Sequence, residues 1–418
     1  MKMLIRFSAF VFASIFMLSC NGDELQQPVY EFALNSPAEV GSRFPYLYQD
    51  DQGVIYMSWL MGIEEDMYAL QYSTYNDGSW TRPEAVKVGA DFFVNWADFP
   101  SVIGYNGEPS AAHWLRKVDG GPYAYHVQIA FPQEESNRWG DAITPHRDNT
   151  PTEHGFVTQR PIDEDRVLAI WLDGRDTEDR ADDEYEDMSK SMTLRSAEIS
   201  RDGEISRSRL IDDSVCDCCQ TDLARTEDGF LAVYRDRTED EIRDIYITEY
   251  SLDTGEWSEP KAVHNDGWEI EACPVNGPKV VADGDRVAVA WLTIEENESK
   301  TLVVRSDDGG ETFDDPIQIA GDRSAGRVDL VMMENGTLYV SWLRHRGDLG
   351  DVVVSEVDPS GTVREPILVG VTSTSRTSSI PQMEATEEGL FFAWTQTDPL
   401  IRVRTAEVPF DAFNTEEL

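Results

Sequence analysis

Three cysteines fall within four positions, Cys216, Cys218 and Cys219 of the run VCDCCQT, and Cys273 follows in EACPVNG. Thiols at this density close disulfides, ligate a soft metal such as copper or zinc, or cycle between redox states. Histidine forms a second group: His113 in SAAHWL, His146 in TPHRD and His154 in TEHGF, each a candidate acid or base near neutrality. Arginine forms a third, with Arg43, Arg175, Arg235, Arg237, Arg327 and Arg344 standing in recurring places along a strongly acidic chain. Clustered guanidinium groups suit a carboxylate or sulfate through bidentate, charge-assisted hydrogen bonds.

Compartment bears on the thiols. Residues 1–19 read MKMLIRFSAFVFASIFMLS, with Lys2 and Arg6 ahead of an apolar run of about a dozen residues, shorter than the about 20 needed to span a membrane. Met17-Leu18-Ser19-Cys20 resembles a lipobox, so Cys20 is expected to carry lipid, residues 20–27 to form a tether and 28–418 a single domain. That places the protein in a bacterial cell envelope, lipid-anchored to a membrane, where disulfides persist. With Cys20 used, Cys216, Cys218, Cys219 and Cys273 can form two bridges, one between neighbouring blades and a vicinal Cys218–Cys219 pair being one arrangement. Metal binding is the alternative.

The chain holds 79 acids against 35 bases, a formal charge of −44, which makes nucleic acid and anionic lipid surfaces poor partners for the whole molecule. The acids lie in short groups (EEDM, RADDEYED, RTEDEIRD, IEENES) that read as solvated turns, and no EF-hand spacing marks calcium. No cofactor is expected, with copper, zinc and calcium left open, and the chain is expected to be a monomer.

The elements that must position these groups repeat. A turn followed by an apolar strand recurs seven times, closing at Trp59, Trp114, Trp171, Tyr234, Trp291, Trp342 and Trp394. A step of roughly 50 to 60 residues is one four-stranded blade with long loops. An all-β propeller of four-stranded antiparallel blades is therefore predicted, with the recurring aromatics packed between blades. The last unit lacks one strand, and VYEFALN near the N-terminus is expected to supply it and close the ring. In such blades the start of the first strand and the end of the second share one face. Arg43, Trp96, Glu153, His154, the CDCC run, Cys273 and Arg327 precede first strands; Asp173, Arg175, Arg235, Arg237 and Arg344 follow the aromatics. All are expected to converge there.

Ser306-Asp307-Asp308-Gly309-Gly310-Glu311-Thr312-Phe313 matches the Asp-box of the sialidase and BNR-repeat propellers, which the chain resembles. Shortened copies run over residues 74–80 and 251–257. The resemblance implies a carboxylate-binding arginine set beginning at Ser42-Arg43-Phe44-Pro45, with Arg235 and Arg344 next, a Tyr nucleophile that adjacency would place at Tyr234, and carboxyl acid–base partners for which Asp173 and Glu153 are the candidates. Sialidase domains usually have six blades, and seven are counted here. Three expectations follow: an exo-acting glycosidase on an acidic glycan, or a lyase on uronates using Tyr234 or the group His113, His146 and His154; a non-catalytic glycan-binding propeller; or an exported metal-binding protein.

Overall fold

The computed structural model describes residues 31–133, 138–178 and 190–414. The signal segment, Cys20 and the whole of the tether, residues 20–27, lie outside the described residues. Seven antiparallel sheets follow one another along the chain. Their first strands are Ser42–Gln49, Ser101–Tyr105, His154–Pro161, Asp222–Arg225, Lys279–Asp283, Asp329–Met332 and Gln382–Ala385, opening blades 1 to 7 in order. The seven-bladed ring predicted from the repeat is the observed architecture.

Burial explains the sequence pattern. Second strands such as Arg286–Glu295 (RVAVAWLTIE) are apolar almost throughout because each blade packs between two neighbours and hides both faces. The seven closing aromatics are all buried in these inter-blade cores. Six blades carry four or more strands, whereas blade 2 has three, Ser101–Tyr105, Glu108–Lys117 and Tyr125–Ala130. Its outer position holds the isolated bridges Ile129 with Ile143 and Pro132 with Trp139, and the chain beyond them carries His146 and Asp148 to the site described below. The ring closes as predicted: Ala33 pairs with Ala406 and Leu34 with Thr405, so the N-terminal segment is the outer strand of blade 7.

The Asp-box is structural, as its residue types require. Ser306 Oγ accepts from the backbone N–H of Gly310 at 2.9 Å, and Asp308 Oδ1 accepts from that of Thr312 at 2.8 Å. Gly310 takes a φ of 88°, which a side chain disfavours.

One device shapes the functional face. Phe44, Phe156 and Arg327 hold positive φ near the start of first strands. In each, a side chain of the preceding blade caps the backbone N–H: Thr395 Oγ1 on Phe44 (2.9 Å), Asp98 Oδ1 on Phe156 (2.8 Å) and Asn276 Oδ1 on Arg327 (2.7 Å). These caps offset the backbone strain and tie blade to blade around the ring.

Candidate functional site

Blades 2 and 3 bring together the densest polar cluster. His126 comes from the third strand of blade 2, and His146 and Asp148 from the connection that follows. His154 opens blade 3, directly across the sheet from Asp173. Arg175 follows that strand and Arg195 comes from the next, Met192–Ser200. The rings of His146 and His154 stack at 3.8 Å, and His126 stands edge-on to both at 4.7 and 5.2 Å.

Asp148 organises the group. Its carboxylate accepts from His146 Nδ1 at 3.2 Å, His154 Nε2 at 3.1 Å and Thr150 Oγ1 at 2.5 Å, and lies 3.3 Å from Arg175 Nη2. Burial opposes its ionisation, but these hydrogen bonds prevail and hold it far below the usual carboxylate range. Asp173 binds Arg175 in a bidentate fork of 2.7 Å bonds and accepts from Trp171 Nε1 at 2.8 Å. Burial raises the cost of its charge, and the Arg175 bond brings its proton affinity below the ordinary value all the same.

The histidines differ. Burial pushes His146 down to about 4, so it is neutral near pH 7. His154 faces an acceptor at each nitrogen, the Thr152 carbonyl at 3.1 Å from Nδ1 and Asp148 at 3.1 Å from Nε2. His126 donates from Nε2 to the Thr150 carbonyl at 2.9 Å, leaving the lone pair on Nδ1, and burial lowers its proton affinity. It is a half-buried, neutral base.

Two cations of the cluster retain binding capacity. Arg116 pairs across the sheet with His126, makes no ion pair among the described residues, and has its Nε buried without a hydrogen-bond partner. Arg195 gives its Nε to Thr193 Oγ1 at 3.2 Å and stands 4.0 Å from Asp173. Burial and then the like charge of Arg175 lower its proton affinity, a strain that an incoming anion relieves.

Glu153, half-buried, receives the Tyr125 hydroxyl at 2.6 Å, and the same hydroxyl lies 2.9 Å from Asp98. One hydroxyl proton cannot serve both carboxylates. Burial pushes Glu153 up to about 8 and Asp98 up to about 7, so Glu153 is mostly protonated near neutrality.

Several predicted residues fall elsewhere. His113 does not join the other histidines: it is buried with Nδ1 2.7 Å from Ser101 Oγ, and burial takes it down to about 3. Tyr234 is buried in the core, its hydroxyl donating to Asp212 at 2.5 Å, so no reactive oxygen faces the surface. Arg235 is buried and donates to the carbonyls of Asn276, Arg243 and Leu292. Arg237 is buried against Glu241. Arg327 spends its donors on Ser378, Ser379, Thr374 and Ser375 and stacks over Trp96 at 5.0 Å. Arg344 pairs with Asp351 at 3.2 Å within its own hairpin. Arg43 sits half-buried over the Tyr68 ring at 5.9 Å, apart from these. The three-arginine set implied by the sialidase resemblance is therefore not assembled from Arg43, Arg235 and Arg344. The predicted disulfides are also absent: Cys216 Sγ lies 3.1 Å from Cys219 Sγ and 4.0 Å from Cys218 Sγ, beyond bonding distance.

The central channel holds two spaces. Between Asp98, His113, Lys279, Arg327 and Gln382 it leaves about 50 Å³, enough for a few waters. Along the first strands it leaves about 340 Å³, lined by Arg160, Asp222, Lys279, Asp329 and Glu384, where Arg160 pairs with Asp222 and Lys279 with Asp329. Metal-ligating geometry arises three times among the described residues, at His126, His146 and His154, at Asp148, His154 and Asp173, and at Cys216, Cys218 and Cys219. In the first, Asp148 already occupies a nitrogen of both stacked rings, and the Thr152 carbonyl occupies the other nitrogen of His154. Acid–base chemistry suits that cluster better.

No protein-family model and no curated protein matches the chain. Among solved structures, an ulvan lyase aligns over 91% of this chain and 94% of its own, at 10% identity and TM-score 0.52. The ulvan lyase bound to GlcA(1-4)Rha3S gives 0.50 over the same shares and at the same identity. The chain shares their propeller fold. The sialidase NanB from Streptococcus pneumoniae is a looser likeness, TM-score 0.44 over 91% of this chain and 71% of its own, at 10% identity. The propeller fold expected from the repeat and the Asp-box is thus the fold shared with the ulvan lyases.

Proposed function

We propose that the propeller acts on an acidic polysaccharide at the face formed by blades 2 and 3, by β-elimination at a uronate. The observation that carries this reading is the neutral His126 standing beside Arg116, in the same cluster as Arg195, two cations with donors to spare. Elimination removes the proton next to the carboxylate and breaks the neighbouring glycosidic C–O bond, leaving an unsaturated sugar. Its barrier lies in the negative charge that builds on the carboxylate. Arg116 and Arg195 bind and neutralise that group, and His126 Nδ1 takes the proton. Asp148 holds His146 and His154 in place behind the base, and the protonated Glu153 is available to return a proton to the leaving oxygen.

The ulvan lyase of the same fold was seen with a glucuronate-containing ligand, which is consistent with this substrate class. Sialidase-type hydrolysis is supported less, because the Tyr234 hydroxyl is engaged with Asp212 inside the core. An exported, lipid-anchored chain, as residues 1–20 suggest, would meet such polysaccharides outside the cytoplasm.

The test is a product assay on the mature chain with uronate polysaccharides and sialosides, reading ultraviolet absorbance of unsaturated uronate and release of free sialic acid. Rising absorbance is the expected result. Free sialic acid without it returns the chemistry to hydrolysis, and bound but uncleaved polysaccharide leaves a lectin-like propeller.

A further inference from the structure

We propose that Cys216, Cys218, Cys219 and Cys273 hold one zinc ion at the junction of blades 3, 4 and 5. A turn at Asp217-Cys218 folds the chain so that Cys216 and Cys219, in C-x-x-C spacing, face each other at 3.1 Å. Cys216 and Cys218 are 4.0 Å apart, and the three sulfur atoms lie within 4.8 Å of one another. The Cys218 thiol is hydrogen-bonded to that of Cys273, which adds a fourth sulfur from just ahead of blade 5. Sulfur atoms at 2.3 Å from a tetrahedral ion stand about 3.8 Å apart, a spacing that the separations among Cys216, Cys218 and Cys219 bracket. Cys273, which neighbours Cys218 and lies outside that group of three, would move in to complete the set.

Charge supplies an independent argument. Arg235, Arg237 and Arg243 are buried beside this cluster at 2%, 1% and 0% exposure. Arg237 and Arg243 share the carboxylate of Glu241. Arg235 has only carbonyl oxygens for hydrogen-bond partners and lies 4.8 Å over the Trp268 ring, so no carboxylate is bonded to it. A buried cation needs an anion near it. Glu241, and Asp217 at 3.8 Å from Arg237, already answer Arg237 and Arg243. Four thiolates around Zn²⁺ have a net charge of about −2, which would answer Arg235 as well, whereas two disulfides would not. Binding releases the thiol protons as the thiolates form.

The site is framed for rigidity. Cys216 N–H donates to the Arg235 carbonyl at 3.0 Å, and Asp217 Oδ1 accepts from Met192 N–H at 3.2 Å. This inference does not depend on the glycan reading.

The experiment is metal analysis of the full mature chain purified without oxidant, alongside Cys216→Ser and the exposed, fold-tolerant Cys273→Ser. One zinc per chain is expected, with affinity falling about tenfold or more in Cys273→Ser. Cobalt in place of zinc should add thiolate-to-cobalt charge-transfer bands in the near ultraviolet, and Cys216→Ser should remove them. A folded, metal-free chain whose four thiols are all blocked as disulfides overturns the proposal. So does zinc content that neither substitution changes, or copper(I) found in place of zinc.

Discussion

His146 and His154 lie face to face, ring centroids 3.8 Å apart and planes 4° from parallel, and both donate to the one carboxylate of Asp148. A stacked pair bound to a shared anion is fixed in position and rotamer, and it forms the wall against which His126 stands edge-on. Asp148 thereby acts as a positioning residue, reaching the base only through its neighbours.

Asp148→Asn keeps the shape and removes the charge that His146, His154 and Arg175 share. The expected cost is about 1 to 3 kcal/mol of stability from under-bonded buried donors, together with a lower kcat and a displaced pH profile. Chemical denaturation and pH-rate curves measure both. An unmoved pH profile would reduce Asp148 to a purely structural role.

Removing the base by His126→Ala should lower kcat by roughly 10²- to 10⁴-fold with little change in KM. In the unsubstituted protein, activity should fall on acidification only below the ordinary histidine value of about 6.5, because burial lowers the proton affinity of His126 and the base must be neutral. Steady-state kinetics on a cleaved polysaccharide decide the point.

Arg235 and Arg195 should behave as opposites. Arg235→Met removes a buried guanidinium that holds three carbonyls, with an expected loss of about 3 kcal/mol or more. Arg195→Gln should change stability by less than about 1 kcal/mol and act on substrate binding alone. Thermal melts of the two variants would separate them.

Stability should decline on the alkaline side. Burial raises Asp98 to about 7 and Glu153 to about 8, so both favour the folded state when protonated. Their contribution is complete below the ordinary carboxylate range and is lost as pH rises through about 7 and about 8. Asp148, held low, works in the other direction and loses its contribution as pH falls through the acid range. Melting temperatures between pH about 5 and about 9 should therefore fall, and the double change Asp98→Asn with Glu153→Gln should flatten the slope.

The fold was legible because its signals repeat: the closing aromatics, the Asp-box at Ser306, and the strand missing from the last blade all record inter-blade burial. The shared face was legible from topology, and it does bring His146, His154, Asp173 and Arg175 together. What sequence order cannot reveal is which charges are consumed internally. Arg235, Arg237 and Arg327 look like ligand-binding arginines by position, yet neighbouring carbonyls, hydroxyls and carboxylates take their donors. His126 and Asp148 escaped notice for the converse reason. One lies mid-strand in YHVQIA and the other in an irregular connection, so neither has a repeat position to mark it.

The most direct test of the central claim is the dissociation constant of a uronate oligosaccharide for the unsubstituted chain and for Arg195→Gln, measured by calorimetry. Loss of about tenfold or more in affinity with an unchanged melting temperature is the predicted result, since one charge-assisted contact to a carboxylate is worth about 1.5 to 3 kcal/mol. Equal affinity in the two proteins would place the acidic-glycan site away from blades 2 and 3 and contradict the account.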